Sequence, residues 1–119
     1  MNIGIIGCGN ISDTYFESQK IFNNLNILVC ADLVKEIADK KAHQYNILSQ
    51  SVDDLFQNED IDIILNLTTP VAHKEVIIRS LENGKHCFSE KPLATNFKEG
   101  LKIQEISKQN NLFVGCAPD

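Results

Sequence analysis

The chain has 119 residues, 43% of them hydrophobic and 23% charged, enough for one globular domain with a real core. Sixteen acidic against eleven basic residues give a net charge of −5, and no basic cluster offsets it, which argues against a nucleic-acid partner. No apolar run approaches membrane-spanning length and the start lacks the basic segment of a signal peptide, so a cytoplasmic protein without a membrane partner is expected.

Short β-rich runs alternate with longer helical patterns. Asn2–Ile6 is expected as the first strand, and Ile11 to about Phe22 as a helix. Between them lies Gly7-Cys8-Gly9-Asn10-Ile11-Ser12. Asn26–Ala31 is the second strand, with the continuous apolar character of a strand buried on both faces. Asp32 follows it, twenty positions after Ser12. Strand, glycine-rich turn, helix, strand and acid make the pattern of a dinucleotide-binding βαβ unit. Gly7 suits the tight turn out of the strand. Gly9, without a side chain, lets a pyrophosphate approach the backbone, and the N–H groups at a helix start favour that charge. Ser12 stands where a third glycine or alanine is usual and is small enough for close helix–strand packing.

Further along, Val34 to Tyr45 reads as a helix and Ile47–Leu48 as a short third strand. Ser51 to Phe56 looks like a short helix capped by Ser51. Ile61–Leu67 is the fourth and most apolar strand, Ala72–Asn83 a helix stopped by Gly84, and Lys85–Ser89 the fifth strand. Asn96 opens a helix with Glu99 three residues later, in a capping-box arrangement, and Leu112–Cys116 is the sixth strand. This alternation implies an α/β fold: a Rossmann-type, doubly wound, mainly parallel six-stranded sheet in a three-layer α/β/α arrangement.

Cys8, Cys30, Cys87 and Cys116 fall in or beside apolar runs and form no CxxC pair. They read as small buried residues in a reducing compartment, not as metal ligands or disulfides. Cys8, inside the glycine turn, is the one expected to be partly exposed.

Three segments at expected strand ends carry chemistry. A carboxylate at Asp32 can accept hydrogen bonds from the adenosine ribose hydroxyls and would repel a 2′-phosphate, favouring NAD over NADP. Its plainer role is a cap for the following helix, and both can hold. Leu33 offers no guanidinium, while Lys35 stands close by. Thr68-Thr69-Pro70-Val71-Ala72-His73 follows the fourth strand, where hydroxyls and a stiffened turn can shape a ligand pocket or serve only as turn and helix start. Taken alone, His73 reads as a structural histidine. Glu90-Lys91-Pro92 follows the fifth strand. Lys91 there suits a proton donor or electrostatic stabiliser, and Pro92 fixes it in extended geometry; the plain alternative is a solvated ion pair.

Gly7 to Ser12, Ala31-Asp32, Thr69-Pro70 with His73, Gly84-Lys85-His86 and Glu90 to Ala94 together resemble the Gfo/Idh/MocA oxidoreductases, collinearly along the whole chain. The resemblance implies a Rossmann domain spanning residues 1–119 that binds NAD, with NADP the lesser choice, and needs no metal. It implies that Gly7, Gly9, Asn10 and Ile11 hold the pyrophosphate and that Asp32 holds the adenosine ribose. Thr68, Thr69, Pro70 and His73 fall on the nicotinamide side, with Glu90 beside Lys91, the catalytic residue that contacts the nicotinamide ribose and the reacting hydroxyl. The implied reaction is hydride transfer with a sugar, inositol or related polyol. A following substrate domain, not within this sequence, would complete acid–base catalysis and carry homo-oligomerisation. His73 and Ser12 depart from the family's usual spacing and residue. A different class of reading is a free-standing NAD-binding or redox-sensing module; a lysine aimed at the nicotinamide speaks against it.

Overall fold

The computed structural model describes residues 1–9, 11–18, 26–90 and 97–116. Six strands form a single parallel sheet: β1 (Asn2–Ile6), β2 (Asn26–Ala31), β3 (Leu48–Ser49), β4 (Ile63–Asn66), β5 (His86–Ser89) and β6 (Val114–Cys116). Their order is β3-β2-β1-β4-β5-β6. The helices between them are α1 (Ser12–Ser18), α2 (Lys35–Tyr45), α3 (Val52–Gln57), α4 (Pro70–Glu82) and α5 (Phe97–Gln109).

Alternation along the strands divides the core between two faces. Ile6, Ala31, Ile64 and Cys87 point to the face covered by Leu55 and Phe56 of α3, Val76 and Ile77 of α4, and Ile103 of α5. Ile3, Ile5, Cys30 and Leu65 point to the other face, under Phe16 of α1 and Ala38 and Ala42 of α2. The β1–β2 register shifts between Ile3 and Gly4, whose partners are Ile27 and Val29. The extra residue, Leu28, is left partly exposed, and Ile27 and Cys30 thereby face the same side.

Element boundaries move where a backbone donor is already used. β3 was expected at Ile47–Leu48 and begins at Leu48, because Ile47 N–H closes the end of α2 onto the Ala42 carbonyl at 2.9 Å, past a left-handed Asn46. β5 begins at His86 and not at Lys85, whose N–H goes to the Ser80 carbonyl of α4. β6 starts at Val114, since Leu112 N–H goes to the Ser107 carbonyl. β4 is shorter than Ile61–Leu67, and α4 starts earlier than Ala72, with Pro70 supplying a first-turn residue that has no N–H to satisfy. α2 starts one residue later than Val34, which is its N-cap. Ser51 caps α3, accepting from Asp54 N–H at 3.1 Å. The far end of the first expected helix and the Asn96 capping box lie outside the described residues. Among the described residues, no helix is long and apolar enough to cross a membrane.

Candidate functional site

The strand order reverses between β1 and β4, and a crevice opens there at the carboxyl ends of the strands. A cavity of about 350 Å³ occupies it, with Gly7, Gly9, Asp32, Leu33, Thr68 and Thr69 in its lining. That volume is within the range of small-ligand pockets.

Gly7 leaves β1 at φ +101°, and a Cβ there would lie 2.7 Å from the backbone carbonyl of Leu67. Conformation and space both demand glycine. Gly9 differs: a Cβ on it would meet nothing within 4 Å. No packing contact requires a glycine at this position. Ser12 is fully buried and its Oγ donates to the Gly9 carbonyl at 2.6 Å, so the residue in the third glycine's place ties the turn to α1. Ile11 is about half exposed on the same turn, and Asn10 lies outside the described residues. Cys8 is only 1% exposed, contrary to the expectation of partial exposure. Its side chain turns under the loop, where the thiol meets the Ala31 carbonyl at 3.4 Å. The neighbouring Cys30 thiol, together with burial, holds the Cys8 thiol protonated, well above the ordinary cysteine range.

Asp32 stands at the lip, just past the end of β2. Its Oδ2 accepts from Cys8 N–H at 2.8 Å and its Oδ1 from Val34 N–H at 2.9 Å. The carboxylate therefore caps the turn leading into α2, while α2 itself has Val34 as N-cap with no side-chain bond. Two oxygens hold about four lone-pair sites, so two backbone donors do not exhaust the group. Leu33 beside it is 92% exposed.

Across the crevice, the β4–α4 turn is locked by a residue the sequence did not single out. Asn66, fully buried, donates from Nδ2 to the His73 carbonyl at 3.1 Å and accepts on Oδ1 from Thr68 Oγ1 at 2.6 Å. His73 is also buried, and its Nε2 lies 2.7 Å from the Thr68 carbonyl. A carbonyl only accepts, so that nitrogen carries the proton. Thr68 is thus held from both ends, while Thr69 is the exposed N-cap of α4 and makes no side-chain cap bond. Pro70 follows as the first residue of α4.

Glu90 follows directly on β5. Its N–H donates to the Asn66 carbonyl at 3.0 Å, and Tyr15 of α1 donates its hydroxyl to Glu90 Oε1. This pair joins the helix after the glycine turn to the end of β5, and no local spacing announces it. Lys91 and Pro92 lie outside the described residues. The structure thus brings Gly7, Gly9, Asp32, Thr68 and Thr69 to one cavity, while Ile11, His73 and Glu90 are not in its lining.

A model of the Gfo/Idh/MocA oxidoreductases, described as an oxidoreductase family with an NAD-binding Rossmann fold, matches residues 1–117. The chain is 28% identical, over 111 residues, to an inositol 2-dehydrogenase/D-chiro-inositol 3-dehydrogenase of Lactiplantibacillus plantarum, covering 90% of this chain and 32% of that protein. An NAD-binding protein from Listeria innocua superposes with a TM-score of 0.90 at 26% identity, covering 97% of this chain and 34% of that one. A 3-ketoreductase from Actinomadura kijaniata, solved with NADP and TDP-benzene, superposes at 0.92 with 21% identity, covering 98% and 36%. The chain spans about a third of the length of the curated relatives it matches.

Proposed function

The chain belongs to the Gfo/Idh/MocA oxidoreductase family, and on that premise we propose that it is the cofactor-holding part of an NAD-dependent dehydrogenase acting on a sugar, inositol or related polyol. The observation that carries the reading is the meeting of Gly7, Gly9 and Asp32 at one crevice, with Asp32 bonded to the glycine turn itself.

The residues present fit an adenine dinucleotide. Leu33, Val52, Leu67, Ala72 and Val76 offer apolar walls to a purine, and the Asp32 carboxylate accepts the hydrogen bonds that vicinal ribose hydroxyls donate. Gly7, Gly9, Asn10 and Ile11 are assigned to the pyrophosphate. When bound, NAD supplies a hydride donor or acceptor at the nicotinamide C4. Asp32 fixes the adenosine ribose and repels a 2′-phosphate, which favours NAD. The Actinomadura enzyme was solved with NADP and Lys35 lies two residues from Asp32, so the ratio of the two affinities is the quantity to measure.

Thr68, Thr69 and Pro70 are assigned to the nicotinamide-side rim, with His73 acting through the Thr68 carbonyl that it holds. Glu90, anchored by Tyr15 and by Asn66, is fixed at the end of β5 immediately before Lys91 in the sequence. Lys91 is assigned to the nicotinamide ribose and the reacting oxygen, on the resemblance of Glu90-Lys91-Pro92 to the family's motif. It steadies that oxygen while a base elsewhere in the protein moves the proton. Substrate selection and that base are assigned to chain beyond the third of the relatives' length matched here, as the dehydrogenase named for inositol is a longer protein.

Calorimetry with NAD and NADP tests this, together with Asp32→Ala. NAD is expected to bind the wild type more tightly than NADP, and Asp32→Ala to remove that preference. Equal affinities that Asp32→Ala leaves unchanged would overturn the ribose assignment. The 119-residue chain alone is expected to bind NAD weakly and not to oxidise polyols; turnover by it would overturn the division of labour.

A further inference from the structure

Two charged residues of the crevice lining, Glu75 and Arg79, are given no task by the dinucleotide reading, and of these Arg79 is held in place by a ring and a carboxylate. Thr69, Ala72, Val76 and Arg79 follow one another along a single face of α4, at helical spacing, and all four line the cavity. Arg79 comes last, nine residues past Pro70, or roughly 14 Å down the helix axis. It therefore stands at the end of the crevice away from the glycine turn, and it also lines the adjoining hollow beside Asp32 and Ser51. Two neighbours hold its guanidinium. Its Cζ lies 4.4 Å from the centroid of the buried Phe56 ring, and Nη2 donates to Asp53 Oδ1 at 2.7 Å. A guanidinium fixed by a ring and a carboxylate has less freedom left to lose when it meets a ligand. It carries five N–H donors, of which the Asp53 bond uses one.

Resting on the dinucleotide reading above, we propose that Arg79 and Asp53 together read the edge of the cofactor's adenine. Adenine presents a ring-nitrogen acceptor beside its exocyclic amine donor. The guanidinium donates to the former and the carboxylate accepts from the latter. Hypoxanthine has a carbonyl oxygen in place of that amine, which would set acceptor against acceptor at Asp53. The pair thus makes the chain selective for an adenine dinucleotide, a choice separate from that between NAD and NADP at Asp32.

The test measures binding of NAD and of nicotinamide hypoxanthine dinucleotide to wild type, Arg79→Met and Asp53→Asn. Wild type is expected to prefer NAD by about fivefold or more, the discrimination of one well-made polar pair. Arg79→Met, which keeps an apolar stem over Phe56, is expected to weaken NAD by about fivefold and the hypoxanthine analogue by less than about twofold. Asp53 is 77% exposed, so Asp53→Asn leaves the core untouched and serves even if Arg79→Met folds poorly. It is expected to bring the two affinities within about twofold of each other. A wild type that binds both dinucleotides equally, or an Asp53→Asn that keeps the wild-type ratio, overturns the proposal alone. A wild type that binds neither overturns the dinucleotide reading and this proposal with it.

Discussion

Asp32 accepts a hydrogen bond from the Cys8 N–H across 24 positions of sequence, so the acid after β2 and the glycine turn after β1 form one rigid unit. The same carboxylate takes the Val34 N–H. A group read first as a ligand contact is thereby also a brace for two loops. Asp32→Ala would leave both backbone donors without their acceptor. It is expected to destabilise the fold by about 2 kcal/mol, from the loss of hydrogen bonds to a charged group. Asp32→Asn, which keeps one acceptor oxygen, is expected to lose less. Urea unfolding of the three proteins checks the order.

Gly7 and Gly9 make a contrasting pair. Gly7→Ala forces a side chain onto a φ of +101° and against the Leu67 carbonyl, and should cost about 3 kcal/mol or more. Gly9→Ala meets open space, and its stability should stay within about 0.5 kcal/mol of wild type. Its methyl nevertheless stands where the pyrophosphate is assigned, so NAD affinity should fall by about tenfold or more. Thermal unfolding and NAD titration of both variants separate folding from binding.

Asp13 predicts an acid limb to stability. Hydrogen bonds from the Lys41 ammonium and the Tyr45 hydroxyl hold its carboxyl below the ordinary value of 3.8. A lowered folded pKa gives stability that is present above 3.8 and lost as pH falls through the folded value. Melting temperature followed down through that window should fall more steeply for wild type than for Asp13→Asn, and the two curves should converge at the acid end.

Lys85 predicts a second rise of stability with pH, at the alkaline end. It is buried, and its Nζ donates to the Asn58 and Ile61 carbonyls at 2.6 and 2.9 Å, pinning the connection from α3 to β4. Burial lowers its pKa from the ordinary 10.5. Between the folded value and 10.5 the unfolded chain binds more protons, so stability from this group rises with pH there. Lys85→Met is expected to cost about 2 kcal/mol at neutral pH. Its deficit against wild type should widen as pH rises through that window, which paired unfolding curves would read.

Much of the fold was legible because its signals are local. A glycine that turns the chain at a positive φ, a serine before a short helix and an acid that caps the turn after an apolar strand each act within a few residues. The alternation of strand and helix then implied the parallel sheet, and the apolar Ile64 and Leu65 marked its centre. What escaped depends on chain segments meeting. Asn66 hides at the end of the most apolar strand, and only the folded turn shows that it binds Thr68 and His73. Tyr15 reaches Glu90 across 75 positions, and Lys85 reaches Asn58 across 27. Cys8 was placed on the wrong side of its loop because sequence alone does not say which way a turn residue faces. One cue was available for Asn66: a lone polar residue closing an apolar strand at a carboxyl end, where crevices form.

The central claim is that the crevice at the β1–β4 boundary holds a nicotinamide dinucleotide. The most direct measurement is an amide NMR titration of this chain with NAD. Shifts are expected to concentrate at Gly7, Cys8, Gly9, Val34, Thr68 and Thr69, with α5 unmoved. Shifts concentrated on α5, or no shift at saturating NAD, would contradict it.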